Sequence, residues 1–92
     1  MPVPNENDSE TVQLLRRIRY WKEKELESRK ELARVLKTER ELMRNPANEG
    51  NRQKLDDLSR ERDVAEEDCN RYAARARDVY TELKELERRL EQ

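Results

Sequence analysis

From Leu55 to the end of the chain, apolar and small residues recur at alternating steps of three and four. The series is Leu55, Leu58, Ala65, Cys69, Tyr72, Ala76, Val79, Leu83, Leu86 and Leu90, and Arg62 is its one charged position. A spacing that averages 3.5 holds one stripe of an α-helix against a partner helix along its whole length. A softer series precedes it: Leu14, Ile18, Trp21, Leu32, Val35 and Leu42, with Glu25, Ser28 and Glu39 at the intervening steps. Beside that seam runs a neighbouring stripe of Leu15, Leu26, Ala33, Leu36 and Met43. The apolar face of the first helix is therefore wider than a two-helix seam needs, which implies contact with more than one helix.

Between the two series stands Asn45-Pro46-Ala47-Asn48-Glu49-Gly50. Proline removes a helix donor and biases the preceding residue away from helical angles, and Gly50 permits a left-handed one. The pattern predicts an all-α fold, a two-helix antiparallel coiled-coil hairpin with a helix over 10–44, a turn at 45–50 and a helix over 51–92. Residues 1–9, with two prolines, read as a disordered tail. Asp8 or Ser9 suits the cap of the first helix, and Asn48 or Asn51 that of the second.

Folding at this turn pairs residue i with about 95−i, setting Trp21 opposite Ala73, Ala74 and Ala76, large against small. Residues 10–44 carry eleven Lys/Arg and seven Asp/Glu, residues 51–92 ten and twelve, so the two arms have opposite net charge. The predicted hairpin core is Leu14, Ile18, Trp21, Leu32, Val35, Leu42, Leu55, Leu58, Ala65, Cys69, Tyr72, Ala76 and Val79. Leu83, Leu86 and Leu90 then lie opposite a tail with little apolar surface. They need cover, either from another chain (a second copy, with dimerisation into a four-helix bundle, or a different protein) or from the remainder of a longer coiled coil of which this sequence is a part.

Composition narrows the function classes. Of 92 residues, 47% are charged and 33% apolar, too few for a compact single-core globule but enough for long helices with a narrow seam. A net charge of −1 argues against a general nucleic-acid binder. No run approaches the ~18 apolar residues of a membrane span, and Met1-Pro2-Val3-Pro4 lacks the features of a secretory signal. A soluble cytoplasmic protein is expected. There is no His, no Gly-rich phosphate loop and no Cys pair, so no catalytic, cofactor-binding or metal-ligating residue is assigned and the chain is read as non-enzymatic. Cys69, on the seam, is a small core residue. For Arg62 the favoured reading packs the stem and leaves the guanidinium in water; the rival pairs it with Glu31 or Glu39 to fix register.

One local stretch stands apart. Arg16, Arg17, Arg19 and Lys22 are four cations with no acid among them, Tyr20 lies within the run, and the hairpin brings Arg71, Arg75 and Arg77 toward it. Most such faces are simply solvated, but this one suits an acidic protein or the phosphates of a nucleic acid. The candidate partner-binding residues are accordingly Arg16, Arg17, Arg19, Tyr20, Lys22, Leu83, Leu86 and Leu90.

The segment from Arg44 through Asn45-Pro46 to Gly50, followed by Leu55 and a heptad helix, resembles the tip of the Rho-effector antiparallel coiled-coil hairpin, as in Toca-type F-BAR adaptors. The likeness covers about a quarter of the chain, and this chain has a longer turn and a more charged second helix. It implies recognition of a Rho-family small GTPase without catalysis, and it carries over no residue beyond Asn45, Pro46 and Gly50. Tyr72-Ala73-Ala74-Arg75 also resembles part of the hairpin of Gre-type transcript-cleavage factors, but those carry acids at a tip that here is mainly asparagine. Three functions follow for testing: a coiled-coil scaffold pairing with a second copy or another helical protein, a GTPase effector, and a dimer that holds nucleic acid on its basic face.

Overall fold

Two amphipathic stripes on one chain can be buried only by laying them against each other, and the structure does this. The computed structural model describes residues 6–44 and 49–91. It comprises α1 (Glu6–Met43) and α2 (Glu49–Glu91), packed antiparallel along their length. The molecule is a rod of 71 × 24 × 15 Å with a radius of gyration of 20.6 Å. A compact domain of this length would have a radius near 12 Å. Every interior contact therefore lies on the single seam between the helices.

That seam is thin. Val35, Ala65, Ala76, Val79, Leu83 and Leu86 are buried. Leu14, Ile18, Trp21, Leu32, Leu42, Leu55, Leu58, Cys69 and Tyr72 are half-buried, as a two-helix interface with two open sides requires. Each fully covered Val or Leu contributes about 1.5–3 kcal/mol, so the few buried side chains near the open end carry much of the apolar stabilisation. Trp21 has aromatic neighbours on both helices. It stacks on Tyr72 at 5.9 Å between ring centroids, and Tyr20 meets it edge-on at 4.9 Å.

The cross-helix pairs scatter about the expected register. Their residue numbers add to 95 for Arg34 and Glu61, 93 for Trp21 and Tyr72, 99 for Arg17 and Glu82, and 101 for Glu39 and Arg62. The spread follows the reach of long side chains and shows no trend along the rod, the largest sum lying nearest the turn. α1 starts at Glu6 rather than at residue 10, and this added length corrects the expectation for the leucine strip. Leu83 and Leu86 are not left for another chain but are covered by α1, at the level of Ile18 and Leu14. Leu90 alone of the three stays exposed, at 48%.

The helix ends differ from expectation too. Ser9 lies inside α1, and Gly50 and Asn51 lie inside the first turn of α2. No described residue has a positive φ, so Gly50 is helical rather than left-handed. At the end of α1 the Arg44 amide donates to the Glu41 carbonyl at 3.4 Å, the tighter three-residue turn common at helix C-termini. Glu49 in the first turn of α2 and Arg88 and Arg89 in its last turn both suit the helix dipole. Asn45, Pro46 and Asn48 of the expected turn, and residues 1–5 of the expected tail, lie outside the described residues.

Arg62 is the second correction. Its guanidinium turns inward: Nη1 donates to Glu39 at 3.0 Å and Nη2 to the Ser59 hydroxyl at 3.1 Å. The Glu39 side chain is only 13% exposed, and its other carboxylate oxygen is buried without a hydrogen-bond partner. Both charges occupy seam positions, so the only way to keep either partly solvent-free is to satisfy it with the other.

Candidate partner-binding face

A seam repeated every 3.5 residues divides the rest of each helix into edges that keep a constant angle to the partner. Stepping back one residue from each seam position of α1 gives Gln13, Arg17, Tyr20, Lys24, Glu27, Glu31, Arg34, Thr38 and Glu41. Stepping forward one gives the other edge: Leu15, Arg19, Lys22, Leu26, Arg29, Ala33, Leu36, Arg40 and Met43, with Val12 in line above them. These two edges differ in kind.

The first is closed by its own charges. Arg17 reaches Glu82 at 3.3 Å and Arg34 approaches Glu61 at 4.0 Å, both across the seam. Along the helices, Lys24 meets Glu27 at 3.8 Å, Arg34 meets Glu31 at 3.1 Å and Arg71 meets Asp68 at 2.7 Å. The Arg34 hydrogen bond holds the Glu31 carboxyl below its ordinary range, and Glu31 in turn raises Arg34. Lys24 lies 5.6 Å from the centre of the Tyr20 ring, so Tyr20 is engaged with Trp21 and Lys24.

The second edge is open. Val12, Leu15, Leu26, Leu36 and Met43 of this row are 41–65% exposed. With Tyr80 across the seam, they are six of the nine large apolar side chains exposed among the described residues. Between the helices on this side runs a groove of about 480 Å³, lined by Leu15, Ile18, Lys22, Ala73, Ala76, Tyr80 and Leu83 among others. The in-row charges, Arg19, Lys22, Arg29 and Arg40, are all basic, and the outermost positions add Arg16, Lys30, Lys37 and Arg44. Against these eight cations stand Glu23 on the outermost line and the half-buried Glu25, which lines the groove. Only Arg29 of the eight has an ion-pair partner among the described residues, Glu25 at 2.8 Å.

The expected basic cluster is therefore split. Arg17 and Tyr20 belong to the closed edge, Arg19 and Lys22 to the open one, and Arg16 to the outermost line. Of the arginines expected to join it, Arg77 lines the open groove with Lys22, while Arg71 pairs with Asp68 on the closed side. The stripe of Leu15, Leu26, Ala33, Leu36 and Met43 was visible in the sequence. What was not visible was that, among the described residues, only Arg29 of the cations flanking it has an ion-pair partner, because that depends on how α2 lies against α1.

Cys69 is half-buried, and burial raises its thiol pKa, which disfavours the reactive thiolate. Among the described residues no group of His, Cys, Asp or Glu is arranged to hold a metal ion, and no helix is long and apolar enough to cross a membrane. No protein-family model matches the chain, and no curated protein or solved structure matches it at a significant level.

Proposed function

We propose that the chain is a non-enzymatic coiled-coil interaction module, a rigid two-helix rod that uses the open edge of α1 to take a further helix. The observation that carries this reading is the exposed row of Val12, Leu15, Leu26, Leu36 and Met43, which meets the groove at Leu15. A row at seam spacing, held rigid by α2 and left in water, is the surface that coiled-coil assemblies cover with another helix. Burial of Leu83 and Leu86 removes the earlier reason for a second copy at the open end, so self-association rests now on the α1 row and Leu90. The finer identity of a Rho-GTPase effector rests on Asn45, Pro46 and Gly50 alone.

A photo-crosslinking residue placed at Leu26, with one at Glu27 as the closed-edge control, tests the reading in the native cell. Discrete protein adducts from 26 and none from 27 support it. No adduct from either, together with a strict monomer by sedimentation at rising concentration, overturns it.

A further inference from the structure

Resting on that reading, we infer that the open edge takes an acidic amphipathic helix of another protein, with apolar residues at steps of three and four and Glu or Asp beside them. Charge selects this occupant. Along the α1 rim the in-row charges Arg19, Lys22, Arg29 and Arg40 are all basic, and the one acid lining the groove is Glu25. Among the described residues only Arg29 of the four has an ion-pair partner, Glu25 itself. On its α1 side, a helix that buried Leu26 and Leu36 while offering lysines would bring like charges together, whereas one that offered carboxylates there would pair them.

A second copy fits poorly. Two α1 edges laid together would oppose Arg19, Lys22, Arg29 and Arg40 of each copy. The facing edge of α2 has the complementary charge in Asp56, Asp63 and Glu66, but no apolar row to meet α1. Among its described residues α2 exposes only Val64, Tyr80 and Leu90 as large apolar side chains, and these share no seam-spaced row.

The groove separates a helix from the other polyanions. Its floor includes Ile18, Ala76 and Leu83, recessed between α1 and α2. The ridge of a third helix can enter such a hollow, as ridges enter grooves in helical bundles. A flat bilayer would meet the cations and the rim but not the floor. Nucleic acid would neutralise the cations and leave Leu26, Leu36 and Met43 in water.

The test uses the whole 92-residue chain and two synthetic four-heptad peptides, both with leucine at the seam positions, one flanked by glutamate and the other by lysine. Titration calorimetry at low salt reads the binding. The expected result is binding of the glutamate peptide alone, weakened at least about tenfold by the double change Leu26→Ser and Leu36→Ser. Arg19→Glu with Arg40→Glu, both exposed and outside any ion pair, is expected to shift preference toward the lysine peptide while helicity is kept. Equal binding of both peptides, or binding only to phosphatidylserine vesicles or to an RNA oligonucleotide, overturns the inference. So does a dimer of the chain that Arg19→Glu with Arg40→Glu dissolves. If discrete adducts still form at position 26 in any of these cases, the interaction-module reading stands and only the acidic partner falls.

Discussion

The two edges of α1 lie on either side of one seam, yet one is finished and the other is not. On the closed edge, cations find carboxylates either along the helix or across it, as Arg17 does with Glu82 and Arg34 with Glu31 and Glu61. On the open edge, cations alternate with exposed leucines, and only Arg29 has an acidic partner among the described residues. Composition already separates them, since the closed row mixes acids with bases and the open row sets bases alone among apolar residues. The further difference lies in whether the charges are answered within the hairpin, and the proposed docking of a helix rests on it.

The largest effect expected from this comparison is between two leucines of different address. Leu83→Asp places an unpaired carboxylate in a site that is 6% exposed, and should cost several kcal/mol, at least about 3, enough to melt a rod with so thin a core. Leu36→Asp, at 41% exposure on the open edge, should move stability by no more than about 0.5 kcal/mol. It should instead weaken binding of the acidic peptide. Thermal melts followed by circular dichroism decide the matter. Equal loss of stability in the two variants would mean that the open edge is part of the hairpin's own core.

Next in size is the charge pair inside the seam. Arg62→Ala strands Glu39, already holding one buried oxygen without a partner, and should destabilise by about 1–3 kcal/mol. Replacing both residues, Glu39→Leu with Arg62→Leu, removes the two charges together and should recover most of that loss or exceed the wild type. A double variant as unstable as Arg62→Ala would show that the pair does more than satisfy itself. Since a matched pair at one level penalises slipped registers, the apolar variant should also form the hairpin with less definite alignment, visible as broadened distances between spin labels on α1 and α2.

The hairpin was legible because its determinants are local and periodic. Ten seam positions of α2 at 3.5 spacing, and a proline between two such patterns, leave little else for the chain to do. Helix starts were less legible. Glu6 to Ser9 were assigned to the tail because of their polarity, although a long helix can extend through polar residues once its later turns are anchored. The fates of Leu83 and Arg62 were hidden for a different reason. Each depends on which side chains of the other helix come within reach, a matter of where α1 begins and of pairing between segments distant in sequence, and mirror-pairing about a turn cannot supply it. The same pairing decides which cations find acids, so the open edge could be seen as an apolar stripe but not as an unanswered one.

Smaller effects probe the closed edge itself. Arg17 and Glu82 are each more than half exposed, so Arg17→Gln should cost only about 0.2–1 kcal/mol and should cost less as salt is raised. Arg40→Gln on the open edge removes a cation with no ion-pair partner among the described residues and should cost nothing measurable, or should stabilise slightly by relieving repulsion. A cost at Arg40 equal to that at Arg17 would remove the distinction between the edges.

The finest test is titration. The Arg34 hydrogen bond lowers the Glu31 pKa in the folded chain, so the contribution of this pair is complete above the unfolded carboxylate value, near 4.3, and is lost as pH falls through the lower folded value. The wild type should therefore melt above an Arg34→Gln variant at neutral pH, and the gap should close on acidification below about pH 4. Arg40→Gln should show no such closing gap, because among the described residues no carboxylate pairs with Arg40. Melting curves of the three proteins from neutral to acid pH make the comparison. A gap between wild type and Arg34→Gln that persists undiminished at low pH would mean that Arg34 acts through packing of its stem and not through its charge. The closed edge would then owe its closure to something other than ion pairing.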